Sequence, residues 1–139
     1  MSITKYLDDC YLVSNFLTEA DDIFDKVYNE VGWEQMLQRT GPVPRLSSFQ
    51  GDIIDNKIPV YRQPCSTLPT VNTWTPTIKM IRDAVAEFTS EKPNHAVPQL
   101  YRNGEDNIGE HSDKTVDVVK NTSIINYSIG ATRILILKS

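Results

Sequence analysis

Several things are scarce in this chain, and each scarcity excludes something. Cysteine occurs twice among 139 residues, as Cys10 and Cys65. The two stand alone without paired spacing, so a disulfide framework is not expected, and they read as reduced thiols inside a cell, nuclear or cytoplasmic. Basic residues are outnumbered, 14 against 18 acidic ones, and the net charge of -4 gives no global positive field for gripping a phosphate lattice. A local basic patch is still compatible with that balance. No apolar run is long enough to cross a bilayer. The opening MSITKYLDDCYL lacks the basic start and apolar run of a secretory signal. No internal repeat or low-complexity tract is present.

What remains is the composition of a globular protein, 40% hydrophobic and 23% charged, in a length that allows one ordinary domain at most. Tyr11, Leu12 and Val13 form a short strand-like entry. Thr18 precedes Glu19, Ala20 and Asp21 in a capping-box arrangement, and Ile23, Phe24, Val27 and Val31 follow at helical spacing. A helix is expected from about Glu19 to Tyr28, with Gly32 ending it. Trp33, Met36 and Leu37 suggest a strand or a short second turn. The Pro- and Gly-rich segment from Arg39 to Pro76, with short apolar pieces at Ile58, Val60 and Tyr61, reads as loops and short strands. Thr75 caps and Pro76 opens a second helix with Ile78, Ile81, Val85 and Phe88 as its buried stripe; Glu91-Lys92-Pro93-Asn94 breaks it. Strand-like runs follow at Ala96–Tyr101, Ser123–Ile129 and Arg133–Leu137. Helices first and strands after predict an α+β fold.

The most informative stretch is Tyr101 to Asp113, which ends in His111-Ser112-Asp113. Side chains alternate along an extended segment, so His111 and Asp113 point to one side, and two legs of a metal site can be placed that way. A facial triad of two histidines and one carboxylate binds Fe(II) and leaves positions for a chelating cosubstrate and oxygen. Glu110 and Ser112 point the other way. No histidine follows His111, and a bare His-x-Asp is equally the pattern of an exposed loop.

The neighbouring words sharpen the reading. QLYRNGEDNIGEHSDKT, then SIINYSIGATR, with VPRLSSFQGD and WTPTIKMIRDAV upstream, resembles the AlkB family of Fe(II)/2-oxoglutarate dioxygenases. The resemblance runs in collinear order from about Pro44 to Lys138, closest in character to fungal AlkB-like proteins and the DNA-repair homologues. It implies a double-stranded β-helix, or jelly roll, with N-terminal helices packed on it. Residues 1–43 are then an N-terminal helical extension, and 44–139 the N-terminal part of the dioxygenase domain, incomplete at its C-terminus. The second iron-ligating histidine and the arginine for the far carboxylate of 2-oxoglutarate fall, in the family, beyond the matching positions. A further segment or a second chain is expected to complete the sheet and to cover the β-rich run RILILK. This chain alone is expected to bind Fe(II) weakly and to turn over no 2-oxoglutarate.

The resemblance assigns His111 and Asp113 to Fe(II), and Tyr101 to the carboxylate of 2-oxoglutarate. Gln99 stands where many relatives have Asn, and Arg133 falls in the column of arginines that neutralise the cosubstrate; both are equally ordinary strand residues. Arg45, Phe49, Gln50 and Tyr61 lie in the segment resembling the nucleotide-recognition lid. Gln50 occupies the column of a stacking tyrosine, Phe49 reads as core, and Tyr61 is the better aromatic face for a flipped base. No hydrophobic finger for filling a duplex is evident. His95, Trp33 and Trp74 read as structural. The implied substrate is an alkylated base in nucleic acid, single-stranded by preference, with a methylated protein side chain as the other class. The rival reading is a catalytically inactive binding module of the same fold.

Overall fold

The alternating run before residue 15 folds back on itself. In the computed structural model, which describes residues 1–61 and 69–138, β1 (Ser2–Leu7) pairs antiparallel with β2 (Cys10–Ser14), Ser2 facing Ser14, with an irregularity between Lys5 and Leu7. Asp8 and Asp9, short polar residues that favour turns, make the connection. The helix α1 (Ala20–Glu30) follows. Glu19, expected as its first residue, has φ +60° and only lends its carbonyl to the N–H of Ile23 at 3.0 Å, so the helix starts after it. Asp21 and Asp22 sit in the first turn, where the helix dipole favours negative charge. Asp22 also pairs with Lys26 one turn on, at 2.9 Å. Residues 1–43 are thus not helical throughout: they hold this hairpin, one helix, and a second hairpin of β3 (Leu37–Gln38) and β4 (Gly41–Pro42).

The chain divides into two compact units, Met1–Asn29 with Asn126–Ser139, and Glu30–Ile125. In the first, Phe24 stacks on Tyr28 at 6.2 Å along α1, and Phe16 meets Tyr127 edge to face at 6.4 Å. Gly130 has φ +94°, and a Cβ there would lie 2.8 Å from the Phe24 ring, so this closest approach admits no side chain.

The second unit is organised on the segment 46–51. Its first half, β5 (Leu46–Ser47), pairs with β8 (Gln99–Leu100); its second half, β6 (Gln50–Gly51), pairs with β7 (His95–Ala96). On the other edge, Ser47 exchanges backbone hydrogen bonds with Glu34 at 2.8 and 2.9 Å. The Asn72 N–H donates to the Phe49 carbonyl at 2.8 Å, and the Gly51 N–H to the Asn72 carbonyl at 3.0 Å. Residues 47–51 are all buried. Met36, Val43 and Phe49 form the core cluster beside them, with Val71 and Val97 packed against it.

The helix α2 (Pro76–Thr89) opens at Pro76 as expected and ends at Ser90, which takes the left-handed conformation and donates its N–H to the Ala86 carbonyl. Its start differs from expectation. The Thr75 side chain makes no capping bond to the helix. Instead the Glu30 carboxylate accepts from the Thr77 N–H at 2.8 Å and from its hydroxyl at 2.6 Å. The buried face is Thr77, Ile81, Arg82 and Val85, whereas Phe88 is 43% exposed. Arg82 is tolerated inside because Asp52, Asp83 and the Pro93 carbonyl accept its N–H groups and the Trp74 ring lies 4.8 Å from its guanidinium.

Two expectations are corrected. Ala96–Tyr101 is not one strand but two short pieces, β7 and β8, separated at Val97 and Pro98. The runs Ser123–Ile129 and Arg133–Leu137 hold no strand at all, and Ile134 to Leu137 are exposed. Strand propensity is realised only against a partner strand, and among the described residues none pairs with these runs. The observed architecture is mixed helix and strand, with strands paired two by two.

Replacing Glu30 by Ala removes the acceptor for the Thr77 N–H and hydroxyl and the negative charge at the start of α2. The expected loss is about 1–3 kcal/mol of stability, read from the midpoint of denaturant unfolding. Glu30→Gln, which keeps one acceptor oxygen, is expected to lose less.

Candidate functional site

The loop that carries the His-x-Asp pair is tied down before it reaches the pair. Asp106, with its side chain 7% exposed, accepts from the Arg102 backbone N–H at 2.9 Å and from the Arg102 Nε and Nη2 at 2.8 and 3.1 Å. A carboxylate taking backbone and bidentate guanidinium donors closes residues 102–106 into a rigid turn. The Asn103 side chain accepts from the Glu105 N–H at 2.9 Å inside the same turn. The next residue docks just ahead of the organising segment: the Asn107 N–H donates to the Pro44 carbonyl at 2.8 Å, and Arg45 Nη1 donates to the Asn107 carbonyl at 3.3 Å. Four residues later comes His111.

His111 Nδ1 lies 2.7 Å from the Gly109 carbonyl. A carbonyl can only accept, so this contact commits the Nδ1 hydrogen to Gly109 and leaves Nε2 as the ring nitrogen that faces Asp113. That Nε2 lies 3.3 Å from Asp113 Oδ1. A proton on Nε2 would make this contact an ion pair, and a metal ion seated against both atoms would be shared by them. Donors about 2.1 Å from a first-row ion and at right angles to each other are separated by about 3 Å. The pair therefore fits as two adjacent ligands, with the outer-shell carbonyl setting the tautomer a metal requires. Both side chains remain about half exposed, 49% and 46%. Alternation anticipated their common side, but no strand carries them; residues 111–115 are irregular. Among the described residues no group of three or more His, Cys, Asp and Glu side chains is placed to hold an ion.

Tyr61 belongs to the same neighbourhood. Burial is the main cause that raises its phenol above the ordinary tyrosine range, and the carboxylates of Asp113 and then Asp117 add to it. Its ring is tilted against His95 at 5.7 Å, and His95 in turn against Phe49 at 6.3 Å. His95 is half-buried, which holds its imidazole below the usual histidine range. His95 and Asp117 were not singled out as site residues in the sequence. Asp117 has no spacing signal, and His95 reads as a lone histidine before a strand.

The other expected residues are placed as follows. The Tyr101 hydroxyl donates to the Gln99 side-chain oxygen at 3.1 Å, so these two lie together on one side of β8 and its exit. Arg45 is half-buried, holds the Asn107 carbonyl, and leaves a buried Nε without a hydrogen-bond partner among the described residues. Phe49 is core, at 5% exposure, and not a surface for a base. Gln50, in the column of a stacking tyrosine, is 1% exposed, and its Oε1 accepts from the Thr75 N–H at 2.9 Å and hydroxyl at 3.2 Å. It has no face to offer a base. Arg133 lies in the first unit, exposed and outside any helix or strand. Cys10 is a free thiol, half-buried; Cys65 lies outside the described residues.

Comparison with known proteins gives this geometry a context. The model of the 2OG-Fe(II) oxygenase superfamily matches residues 9–139. Alpha-ketoglutarate-dependent dioxygenase alkB homolog 3 of Bos taurus is 30% identical over 124 residues, covering 84% of this chain and 40% of that protein. DNA oxidative demethylase ALKBH2 is 31% identical over 127 residues in Mus musculus, covering 86% of this chain and 51% of that protein. Its Homo sapiens counterpart is 31% identical over 134 residues, covering 91% and 49%. The chain spans about half the length, or less, of the curated relatives it matches. A match over nearly its whole length, with the His-x-Asp pair and its tethered loop inside that match, means that this chain belongs to the 2OG-Fe(II) oxygenase superfamily, where it is similar to the AlkB homologues.

Proposed function

We propose that the protein carrying this chain is an Fe(II)/2-oxoglutarate-dependent dioxygenase that oxidatively demethylates an alkylated nucleic-acid base. The observation that carries the reading is the facing of His111 Nε2 and Asp113 Oδ1 at 3.3 Å, with Nδ1 committed to the Gly109 carbonyl. The names of the similar proteins support the substrate class. In this reading residues 1–43 extend a dioxygenase domain that begins at residue 44 and is completed as a jelly roll beyond the matched half.

Fe(II) with 2-oxoglutarate supplies the oxidation of a substrate C–H bond, coupled to decarboxylation of the cosubstrate to succinate. His111 Nε2 and Asp113 Oδ1 are the two atoms of this chain that would hold the ion. Tyr101 is the proposed donor to a cosubstrate carboxylate, its hydroxyl turning there from Gln99, which it meets at 3.1 Å. Tyr61 offers a ring near Asp113 on which a base can stack, and Arg45 acts from behind by fixing the loop that delivers His111. We place the second histidine and the arginine for the far carboxylate in the part of the relatives' length that this chain does not span.

Single-stranded or already unpaired substrate is the proposed preference. The net charge of -4 gives little general grip on a duplex. Gln50 is buried where a stacking side chain was sought, so unstacking a paired base finds little compensation.

In the intact protein, His111→Ala and Asp113→Ala are each expected to weaken Fe(II) binding by about 10-fold or more and to reduce succinate release to background. Wild-type Fe(II) affinity in either variant would overturn the assignment. A protein that binds the metal but releases no succinate would move the reading to an inactive binding module. With one N-methylated base in a fixed sequence at fixed salt, demethylation is expected to be faster in the single strand than in the duplex. A clear preference for duplex would sink that part of the reading, and activity on methylated peptides alone would transfer the enzyme to another substrate class.

A further inference from the structure

His95 is the residue near the site that no established role accounts for. It sits on β7, opposite Gly51 of β6. One face of its ring looks toward Phe49 at 6.3 Å, whose own side chain is buried in the core cluster. The same ring meets Tyr61 at 5.7 Å, tilted by 34°. His95 is thus the ring in contact with both a core aromatic and Tyr61. Tyr61 in turn lies in the field of Asp113 and Asp117.

The approach of the Tyr61 segment is built on Gly51. A Cβ at that position would stand 2.8 Å from the Asn94 carbonyl oxygen and 2.9 Å from Pro59 Cγ. Because residue 51 has no side chain, the Asn94 carbonyl and the Pro59 ring both close on the space a Cβ would fill. Pro59 is two residues before Tyr61, so its seat on Gly51 brings the chain near β7 just ahead of the Tyr61–His95 contact. A backbone bond holds the same carbonyl in place: the Asp52 N–H donates to the Asn94 carbonyl at 2.9 Å.

We propose that His95 is a positioning residue for the substrate: its imidazole is the wedge between Phe49 and Tyr61 that holds the Tyr61 ring beside the His111–Asp113 pair as a stacking wall for the base. Half-burial keeps that imidazole neutral at pH 7, as an uncharged ring between aromatic neighbours requires. The role belongs to the ring's shape and not to its nitrogens, since no hydrogen bond is needed for the wedge. This inference rests on the nucleic-acid reading of the site.

The test uses the intact protein loaded with Mn(II) in place of Fe(II), and a short single-stranded oligonucleotide carrying one N-methylated base. His95→Ala is expected to raise the oligonucleotide Kd about tenfold by freeing the Tyr61 wall, with Fe(II) affinity at His111–Asp113 unchanged. In turnover with Fe(II), the loss is expected in KM more than in kcat. His95→Phe, a flat ring of similar size, is expected to bind the oligonucleotide within about twofold of wild type. Wild-type affinity in a cooperatively melting His95→Ala protein would overturn the inference. So would a His95→Phe protein that is folded but as weak as His95→Ala, because the imidazole nitrogens and not the ring would then matter. If His95→Ala does not fold, His95→Phe decides alone. If the wild-type protein itself binds no methylated oligonucleotide, the substrate reading falls, and this inference falls with it for a separately identifiable reason.

Discussion

A carboxamide shut away from water must find its partners inside the protein, and Gln50 at 1% exposure finds them in Thr75. Leaving such a group without partners would cost about 1–3 kcal/mol, so the position of Thr75 is tied to that of Gln50. Thr75 is where α2 begins, which means the second helix is registered by a side chain 25 residues upstream. The same segment anchors much else. The backbone of residues 47–51 takes hydrogen bonds from Glu34, Asn72 and the β7–β8 region, and Phe49 places its ring in the core. Polar satisfaction and apolar burial act on alternate residues of one short stretch, so moving it by one residue would break both at once.

The site hangs from this frame by few, well-defined links. Asp106 locks Arg102, Asn107 docks between Pro44 and Arg45, and Gly109 orients the His111 ring. Each link is a charge-assisted or backbone hydrogen bond of ordinary length, and together they present two acceptor atoms to one point of space. The pair itself remains half exposed. That combination is a fixed approach to an open end, the arrangement a metal centre with exchangeable positions requires. The surroundings carry negative charge, with Asp113 and Asp117 both felt at Tyr61, which suits a bound cation better than an anionic lattice.

Membership of the superfamily and the irregular backbone of residues 111–137 have to be held together. RILILK has high strand propensity, yet its apolar side chains are exposed, Ile134 at 91%. Propensity measures how well a side chain fits a pleated, half-buried surface; without a neighbouring strand there is no such surface and no ladder for the N–H groups. The same holds for Ile124 and Ile125, at 57% and 39%. Strand formation here is a property of a pair of segments, not of one.

What the sequence by itself determined is local or periodic. The helical spacing of Ile23 and Val27, the Pro76 start of α2, the hairpin strand at Tyr11–Val13 and the common side of His111 and Asp113 all follow from contacts a few residues apart. The collinear motifs carried the family for the same reason: they are words, legible without folding. Only tertiary structure decided how those words are used. Glu30 caps α2 from 47 residues away in place of the expected Thr75 side chain. Gln50 is a buried acceptor and not a stacking face, Phe88 is exposed although it fits the helical stripe, and His95 joins the core to Tyr61. These depend on which distant segment arrives at a given side chain, and burial, ring contact and hydrogen-bond partnership come into being only when it does.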